Sequence, residues 1–245
     1  MSTRVGLCER VADDFAFGSF HVHYAVGLEP RREEYRLRYA AFVEEHHWES
    51  ADACHGRLET DEFDRFSCSA LLVDSVTGNA AACQRLILPE YLPDGLRTNV
   101  EREHRPLPSG PSVDFSKLDR SNWAEASRLA IAPPYRWGSA KTSIPALIAV
   151  SYASLALALA LDRSVVFTIS DPRTARLTRR MRFSMRQVGQ LVDFHGARAV
   201  FQIEVAEVLA SVPGCWQALV TRLTEDARSA ASTRAIHRRM VLHAA

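Results

Sequence analysis

The sequence has few cysteines and no closely spaced pair of them. Its five cysteines are spread through 245 residues without a CxxC motif, which argues against a disulfide framework and against a structural zinc site. The N-terminus, MSTRVGLCERVADDF, also lacks an apolar segment of signal-peptide length. We therefore predict a cytoplasmic protein that holds no metal.

The sequence also lacks an excess of charge of either sign. Thirty basic residues face 29 acidic ones, for a formal net charge of +1, so bulk charge recruits neither nucleic acid nor an anionic membrane. One local exception is the stretch 172–186, which holds six arginines and no acidic residue. Such a run is either a solvated face or a basic patch for an acidic partner.

One apolar run approaches the length of a membrane span. Residues 144–161 carry no charge over 18 positions, but they are rich in alanine and have no flanking aromatic anchors. Ser143 as N-cap and Pro145 in the first turn are typical of a helix in a globular protein, and a helix that is apolar all round packs against a sheet. We predict no transmembrane segment, although weak peripheral membrane contact stays compatible with this run.

The remaining pattern predicts one mixed α/β domain, with antiparallel strands early and a crossover helix late. We expect an N-terminal extension at 1–29, the α/β domain at 30–205 and a C-terminal helical segment at 206–245 packed on the same domain. The predicted elements are a helix at 30–47, hairpin strands at 68–74 and 80–88, a long proline-rich connection at 89–122, a strand at 123–132, a helix at 143–161, a strand at 164–169, a helix at 172–181, a strand at 199–203 and a helical region at 204–245 broken at 213–214.

Three clusters of charged and aromatic side chains lie upstream of or within the central strands. Taken one at a time, each has an ordinary explanation, because the arginines can pair with the aspartates and the aromatic rings can belong to the core. The motifs and their residues are LRYAAFVEEHHW (Arg38, Phe42, Trp48), LETDEFD (Asp61, Asp64), CQRLILP (Arg85) and AEASRLAI (Glu125, Ser127, Arg128).

In this order and spacing, the motifs resemble those of the acyl-homoserine-lactone (autoinducer) synthases. They are still more similar to the related bacterial N-acyl amino acid synthases and PEP-CTERM/exosortase-associated acyltransferases, whose late segment resembles LVDFHGARAVF at 191–201. The resemblance spans about residues 30–205. Eight residues fall on the family's motif positions, and Ser127 lies between the last two of them, as it does in many members. The eight are Arg38, Phe42, Trp48, Asp61, Asp64, Arg85, Glu125 and Arg128.

The resemblance implies an α/β fold of the GNAT-like acyl-CoA N-acyltransferase type. This fold is a mixed, twisted sheet with a V-shaped cleft and helices on both faces. The implied reaction transfers a fatty acyl group from the thioester of acyl carrier protein to the amine of a small molecule. Acyl carrier protein is thus the implied partner and its phosphopantetheine the implied acyl-donor carrier, with no other cofactor bound and no nucleic-acid partner.

The implied roles divide the motif residues into two groups. Glu125, Ser127 and Arg128 are the expected catalytic residues. An amine attacks a thioester only as the free base, so a carboxylate such as Glu125 can remove the proton directly or through one water. Backbone N–H groups of a splayed strand can stabilise the oxyanion, and direct transfer needs no serine or cysteine nucleophile. The expected substrate-binding residues are Arg38, Phe42, Trp48, Asp61, Asp64 and Arg85.

Asp61 and Asp64 pose a question of their own, because they belong to a crowd of acids just before a buried strand. The resemblance implies that they shape the cleft and orient the first helix through arginines. They could also attract the ammonium of an amino donor, since an aspartate paired with an arginine stays ionised.

Two departures from the sequences of related enzymes narrow the range of expected functions. The segment YRWGSAK at 135–141 is only a degraded form of the Gly-rich loop that binds the pyrophosphate of coenzyme A, so use of acyl-CoA is not supported. The proline-rich connection at 89–122 does not match the lactone synthases and favours an N-acyl amino acid synthase. The alternatives are an acyl-homoserine-lactone synthase that uses S-adenosylmethionine, and a GNAT-like module that binds an acyl carrier or lipid without catalysis.

Two structural predictions follow from these assignments. Glu125 and Arg128 would point to opposite faces of a regular strand, so a shared site requires a β-bulge between them. The arginines of the basic stretch are expected to dock the acidic acyl carrier protein. The docking residues are Arg173, Arg176, Arg179 and Arg180.

Overall fold

A computed structural model describes residues 20–26, 31–136, 143–180 and 182–231 of the chain. The strands within these residues form one sheet in the order β1-β2-β3-β4-β5-β8-β6, and β7 pairs with β8. All neighbours are antiparallel except β4 and β5, which are parallel. The strands are β1 (Phe20–Val26), β2 (Ser67–Asp74), β3 (Ala80–Ile87), β4 (Trp123–Ile131), β5 (Val165–Ser170), β6 (Arg186–Gln187), β7 (Val192–Asp193) and β8 (Ala197–Glu204).

Helices cover both faces of this sheet, as the predicted fold class requires. On one face, Leu37 and Phe42 pack against Cys83 and Ala130. On the other, α3 and α6 form a large apolar cluster with β2, β3 and β4. The helices are α1 (Arg32–Tyr39), which continues as a π-helix (Ala40–Glu45), α2 (Asn99–Glu103), α3 (Ser143–Ala160), α4 (Pro172–Arg180), α5 (Val205–Ser211) and α6 (Gly214–Ala230).

Local sequence signals account for most element boundaries. Asp74 ends β2 and accepts hydrogen bonds from the backbone N–H groups of Val76 and Thr77, while Gly78 has a φ of +72°, so the predicted β2–β3 hairpin forms. Asp171 caps α4 in the same way. The predicted hairpin, central strands and later helices are confirmed, with boundaries shifted by a few residues.

The predicted apolar helix at 143–161 is α3, and it packs on the sheet. Ala149, Val150 and Ala153 are buried against Ala70 and Leu72 of β2. Among the helices that the structure describes, none combines the length and the apolar character needed to cross a membrane.

The predicted order of elements lacks three strands and one α-helix that the structure contains within the described residues. β1 lies within the segment taken as an N-terminal extension, yet it pairs with β2 from Phe20–Asp74 to Val26–Cys68. The connection at 89–122 contains α2, and the short strands β6 and β7 precede β8. These pieces were missed because they are short or depend on pairing with distant strands. The Gly-rich residues 138–141 and the segment 232–245 lie outside the described residues.

A V-shaped cleft opens where β4 and β5 separate. The two strands pair only from Trp123–Val165 to Ala126–Thr168. Beyond this point β4 continues beside β3 to Ile131, and β5 continues beside β8. The split sheet that the resemblance implied is therefore confirmed.

Candidate active site

A β-bulge in β4 brings the predicted catalytic residues onto one side of the strand. Arg85 pairs with Ser127 and Cys83 pairs with Ala130, so β4 has one residue more than β3 over this interval. Arg128 has a φ of +52°, a left-handed conformation that is unfavourable for a residue with a side chain. The predicted bulge is confirmed. It turns Arg128 to the α1 side of the sheet, where the phenyl ring of Phe42 lies 5.5 Å from its guanidinium.

Glu125 is buried on the same side, with 2% of its surface exposed. Its Oε1 accepts a hydrogen bond from the Asn99 side chain and its Oε2 accepts one from the Val100 backbone, both over 2.9 Å. Burial raises the pKa of Glu125, and these hydrogen bonds offset the rise only in part. A raised pKa brings the carboxyl group nearer to the range of a general base or acid.

The helix α2 holds the donors to Glu125 in place. Thr98 and Glu101 form a capping box, in which each side chain bonds the other residue's backbone N–H. This cap fixes the N-terminus of α2 and with it Asn99 and Val100. The sequence T-N-V-E is a capping-box signal within the connection at 89–122, and it could have located α2.

Arg38 and Arg85 bind the two aspartates of the acidic motif in pairs of hydrogen bonds. Arg38 donates to both oxygens of Asp64 over 2.7 and 3.1 Å. Arg85 donates to both oxygens of Asp61 over 2.5 and 2.8 Å, and to Asp64 over 2.8 Å. Such forked pairs are strong and orient both partners. The acidic cluster before β2 therefore neutralises arginines of α1 and β3.

Glu59 extends this set to Arg128. It accepts hydrogen bonds from the Nε of Arg38 over 2.5 Å and from the Nε of Arg128 over 3.0 Å. Arg128 also lies 3.1 Å from Asp61. We call these connected side chains the ion network, which consists of Arg38, Arg85, Arg128, Glu59, Asp61 and Asp64.

Arginines keep the aspartates of the ion network ionised. Burial by itself would raise the pKa of Asp64, but Arg85 and Arg38 outweigh it and hold this pKa below its usual value. Arg85 similarly lowers the pKa of Asp61 against the effect of burial. The side chain of Asp64 is 3% exposed and that of Asp61 is 20% exposed, so of the two only Asp61 has surface that a substrate can reach.

Aromatic rings line the entrance of the cleft. The indole of Trp48 stacks with Phe42 at 5.8 Å, with His46 at 4.4 Å and with His195 at 5.4 Å between ring centroids. The guanidinium of Arg198 lies 4.5 Å from the Trp48 ring. Phe42 is held by the π-helix that follows α1, a deviation often found at functional sites.

A cavity of about 280 Å³ runs from this entrance through the cleft. Phe42, Trp48, Glu125, Ser127 and Arg128 line its polar end. Its other end is an apolar arm between α3 and the strands β5 and β8. The residues that line the apolar arm include Leu147, Leu155, Ala158, Val166, Phe183, Met185, Ile203 and Val205.

The nine predicted catalytic and substrate-binding residues thus separate into two layers. Five line the cavity, whereas Arg38, Asp61, Asp64 and Arg85 lie behind it in the ion network. Side-chain contacts join the layers, because the Nε of Arg85 donates to the Ser127 hydroxyl over 3.2 Å and Arg128 lies 3.1 Å from Asp61. Among the described residues, no group of His, Cys, Asp and Glu side chains is arranged to hold a metal ion.

Sequence reasoning did not assign five side chains that contact these groups. They are Glu49, which accepts a hydrogen bond from Arg128 over 2.9 Å, and Glu59, Asn99, His195 and Arg198. Glu59 belongs to the acidic stretch, and His195 and Arg198 belong to LVDFHGARAVF. The sequence analysis quoted both segments but assigned no role to these three residues.

The predicted docking arginines lie on α4, beside the cavity. Arg173, Arg176 and Arg179 are exposed and recur at every third position, while Ala175 and Thr178 are buried on the other side of the helix. Arg180 is the last residue of α4, and its side chain is outside the described part of the structure. Because Thr174 and Thr178 line the cavity, α4 borders the cleft, and its three exposed arginines lie on the solvent side of the helix.

Comparisons with known proteins agree with this geometry. Residues 37–145 match the acetyltransferase (GNAT) domain. Among curated protein sequences, none is similar enough to the chain to count as a relative.

Several solved structures share the fold. LasI, an acyl-homoserine lactone synthase, has a TM-score of 0.59 at 19% identity, covering 80% of this chain and 95% of LasI. TofI, solved with an inhibitor and MTA, has a TM-score of 0.58 at 22% identity, covering 79% of this chain and 95% of TofI. BjaI, a CoA-dependent acyl-homoserine lactone synthase solved with SAM and isopentyl-CoA, has a TM-score of 0.57 at 16% identity, covering 83% of this chain and 89% of BjaI. The chain therefore shares the fold of these solved structures, and its residues 37–145 match the acetyltransferase (GNAT) domain.

Proposed function

We propose that this protein transfers a fatty acyl group from the thioester of acyl carrier protein to the amine of an amino acid or a similar small molecule. The observation that carries the proposal is the position of Glu125. It is a buried carboxylate of raised pKa, located where β4 and β5 separate and at the junction of a polar entrance with an apolar arm.

Each part of the cavity has a chemical task in this reaction. The apolar arm accepts the acyl chain, since its lining buries methylene groups away from water. Glu125 takes the proton that the ammonium must lose. Past Ala126, β4 no longer pairs with β5, so the N–H groups of β4 that face β5 there are not bonded to that strand. These N–H groups are candidates for stabilising the oxyanion. The amine bonds to the acyl carbon to form this oxyanion, and the oxyanion then collapses as the carbon–sulfur bond breaks and the phosphopantetheine leaves as a thiolate.

Arg128 and the rest of the ion network hold the side chains at the cleft entrance in place. Arg128 is held by Glu49, Glu59 and Asp61 and lies over the ring of Phe42. These contacts offset the unfavourable backbone conformation of the bulge. In this proposal Arg38, Arg85 and Asp64 act on substrate only through the residues they hold, and Asp61 is the carboxylate of the pair that can face an incoming ammonium.

The basic face of α4 supports acyl carrier protein as the donor. Three exposed arginines lie on the helix that borders the cleft, and carrier proteins are acidic, so encounter is favoured electrostatically. BjaI is described as CoA-dependent, which makes acyl-CoA the donor to be tested against the carrier-bound form.

The second candidate is synthesis of an acyl-homoserine lactone from S-adenosylmethionine. The solved structures of similar fold favour it, since BjaI was solved with SAM. A module without catalysis is less well supported, because simple binding gives no reason to bury Glu125 at the point of strand separation.

Product analysis separates these functions. Lipids extracted from a strain that expresses the protein would be analysed by mass spectrometry, with a strain expressing Glu125→Gln as the control. N-acyl amino acids present only with the native protein would support the proposal. Acyl lactones would support the second candidate, and the absence of any new product would support binding without catalysis.

A further inference from the structure

Arg198 stands at the open end of the cleft. It precedes Ala199, which pairs with Ser170 at the end of β5, so Arg198 lies just beyond the last β5 pair. Its half-buried side chain lines the cavity, and its guanidinium stacks on Trp48 at 4.5 Å.

Arg198 differs from the other arginines at the cleft because no carboxylate of the described residues forms an ion pair with it. Arg128 is bound by three carboxylates, and Arg38 and Arg85 each bind two or more. Among the residues that the structure describes, none accepts a hydrogen bond from Arg198 or forms an ion pair with it.

The nearest opposing charge, Asp171, is already engaged. Its Oδ1 accepts from the backbone N–H groups of Arg173 and Thr174, and its Oδ2 accepts from the Thr174 hydroxyl. Burial lowers the pKa of Arg198, and Asp171 offsets this only in part. A guanidinium that is partly removed from water without a partner is costly, and a bound anion would remove that cost.

The face of the sheet indicates which substrate this anion belongs to. Arg198 has the same strand parity as Val200, which packs with Val100 and Trp123 on the side where Glu125 lies. Ala199 and Phe201 have the opposite parity and pack with Ala175 of α4. The basic face of α4 and the apolar arm serve the acyl donor, so Arg198 lies on the side left for the amine.

From this arrangement we infer that Arg198 binds the carboxylate of the amine acceptor, which is therefore an amino acid. The contact with Trp48 holds the guanidinium in place, and a guanidinium can present two parallel donors to a planar carboxylate. The inference rests on the proposed function for the identity of the amine site. Along β8, Arg198 is four residues from Gln202, which pairs with Phe167, the β5 partner of Glu125. The separation is thus about 13 Å along the strand and two strand spacings of about 4.8 Å across the sheet, part of which the two side chains span.

Calorimetric titration of the full chain tests this without turnover. The probes are N-decanoylglycine, N-decanoyl-β-alanine and N-decanoyl-γ-aminobutyrate, each compared with its own primary amide. At least one acid should bind roughly 10- to 100-fold more tightly than its amide, as expected for a charge-assisted pair. Arg198→Gln should abolish this preference and leave amide binding unchanged. Arg222→Gln, at an exposed position of α6, should retain the preference.

Other outcomes would overturn the inference. These are equal binding of every acid and its amide, no binding of either, or a preference that survives in Arg198→Gln. A loss of 4′-phosphopantetheine binding in Arg198→Gln, with the acid preference intact, would assign the guanidinium to the donor phosphate instead. Equal thermal midpoints of the two variants would show that both fold. The proposed function fails separately, through absence of acyl transfer to any amine.

Discussion

Arg128 donates from its Nε to Oε1 of Glu59 over 3.0 Å, although 69 positions separate the two residues in the sequence. The same carboxylate accepts from Arg38 through its other oxygen. Glu59 therefore connects the bulge of β4 to α1, and the left-handed Arg128 is held by a residue of the LETDEFD motif to which the sequence comparison assigned no role.

Removing the charge of Glu59 should destabilise the protein. Glu59→Gln leaves Arg38 and Arg128 with one carboxylate fewer in a buried setting, where loss of one partner typically costs about 3–5 kcal/mol. The free energy of unfolding would be measured by urea denaturation. The matched control is Glu44→Gln, which removes the partner of Arg57 in a solvent-exposed pair and should cost less than about 1 kcal/mol. Equal effects of the two substitutions would contradict the bridging role.

Neutralising Glu125 should affect the rate and spare the fold. Glu125→Gln keeps the shape but cannot accept a proton, so kcat should fall by about 10²–10⁴-fold while acyl-donor binding changes little. The defect should shrink as the pH approaches the pKa of the amine, where free base forms without help. The pH–rate profile and thermal midpoint of the same variant provide the check. A stable variant with near-normal kcat at pH 7 would leave the mechanism without its base.

Reversing charge on α4 should weaken use of the carrier-bound donor. In Arg176→Glu/Arg179→Glu, attraction to an acidic carrier becomes repulsion, so the KM for acyl carrier protein should rise, most strongly at low salt. Steady-state kinetics at several ionic strengths would measure this. Arg222→Glu, on α6, is the control and should leave the KM unchanged. If transfer is indifferent to the α4 reversal at every salt concentration, the carrier docks elsewhere.

The ion network should make the protein sensitive to acid. The folded-state pKa values of Asp61 and Asp64 lie below the ordinary value of 3.8, so their stabilising contribution is present above about pH 4 and is lost as the pH falls toward the folded values. Urea denaturation from pH 6 to pH 2.5 should show a steep loss of stability below about pH 4. In Asp64→Asn the slope should be shallower, and an unchanged slope would contradict this assignment.

Filling the apolar arm should shorten the preferred acyl chain. Ala158 is buried and lines the arm, so Ala158→Phe places a ring where the chain would extend. The ratio of kcat/KM for hexanoyl to dodecanoyl carrier protein should rise at least about tenfold, which corresponds to the burial of two methylenes. Ala206→Phe, at an exposed position of α5, should leave the ratio unchanged. An unchanged ratio in Ala158→Phe would place the acyl chain elsewhere.

The sequence by itself determined the local structure and the residues of the motifs. Periodicity, caps and turn residues act within a few positions, so the hairpin around Gly78 and the apolar helix α3 could be located in advance. Strand parity was sufficient to require the bulge between Glu125 and Arg128, since alternation along a strand is a local rule.

Only the tertiary structure decided which side chains meet. The hydrogen bonds of Glu125 with Asn99 and of Arg128 with Glu59, and the contact of Arg198 with the ring of Trp48, join residues far apart in the chain. They depend on sheet register and on how helices cross the sheet. Many residues away from a given position set these arrangements, so the pattern around that position does not contain them. For the same reason the sequence marked Arg198 only as part of a motif, and the fold showed it to be a cation at the cleft for which the described residues provide no ion-pair partner.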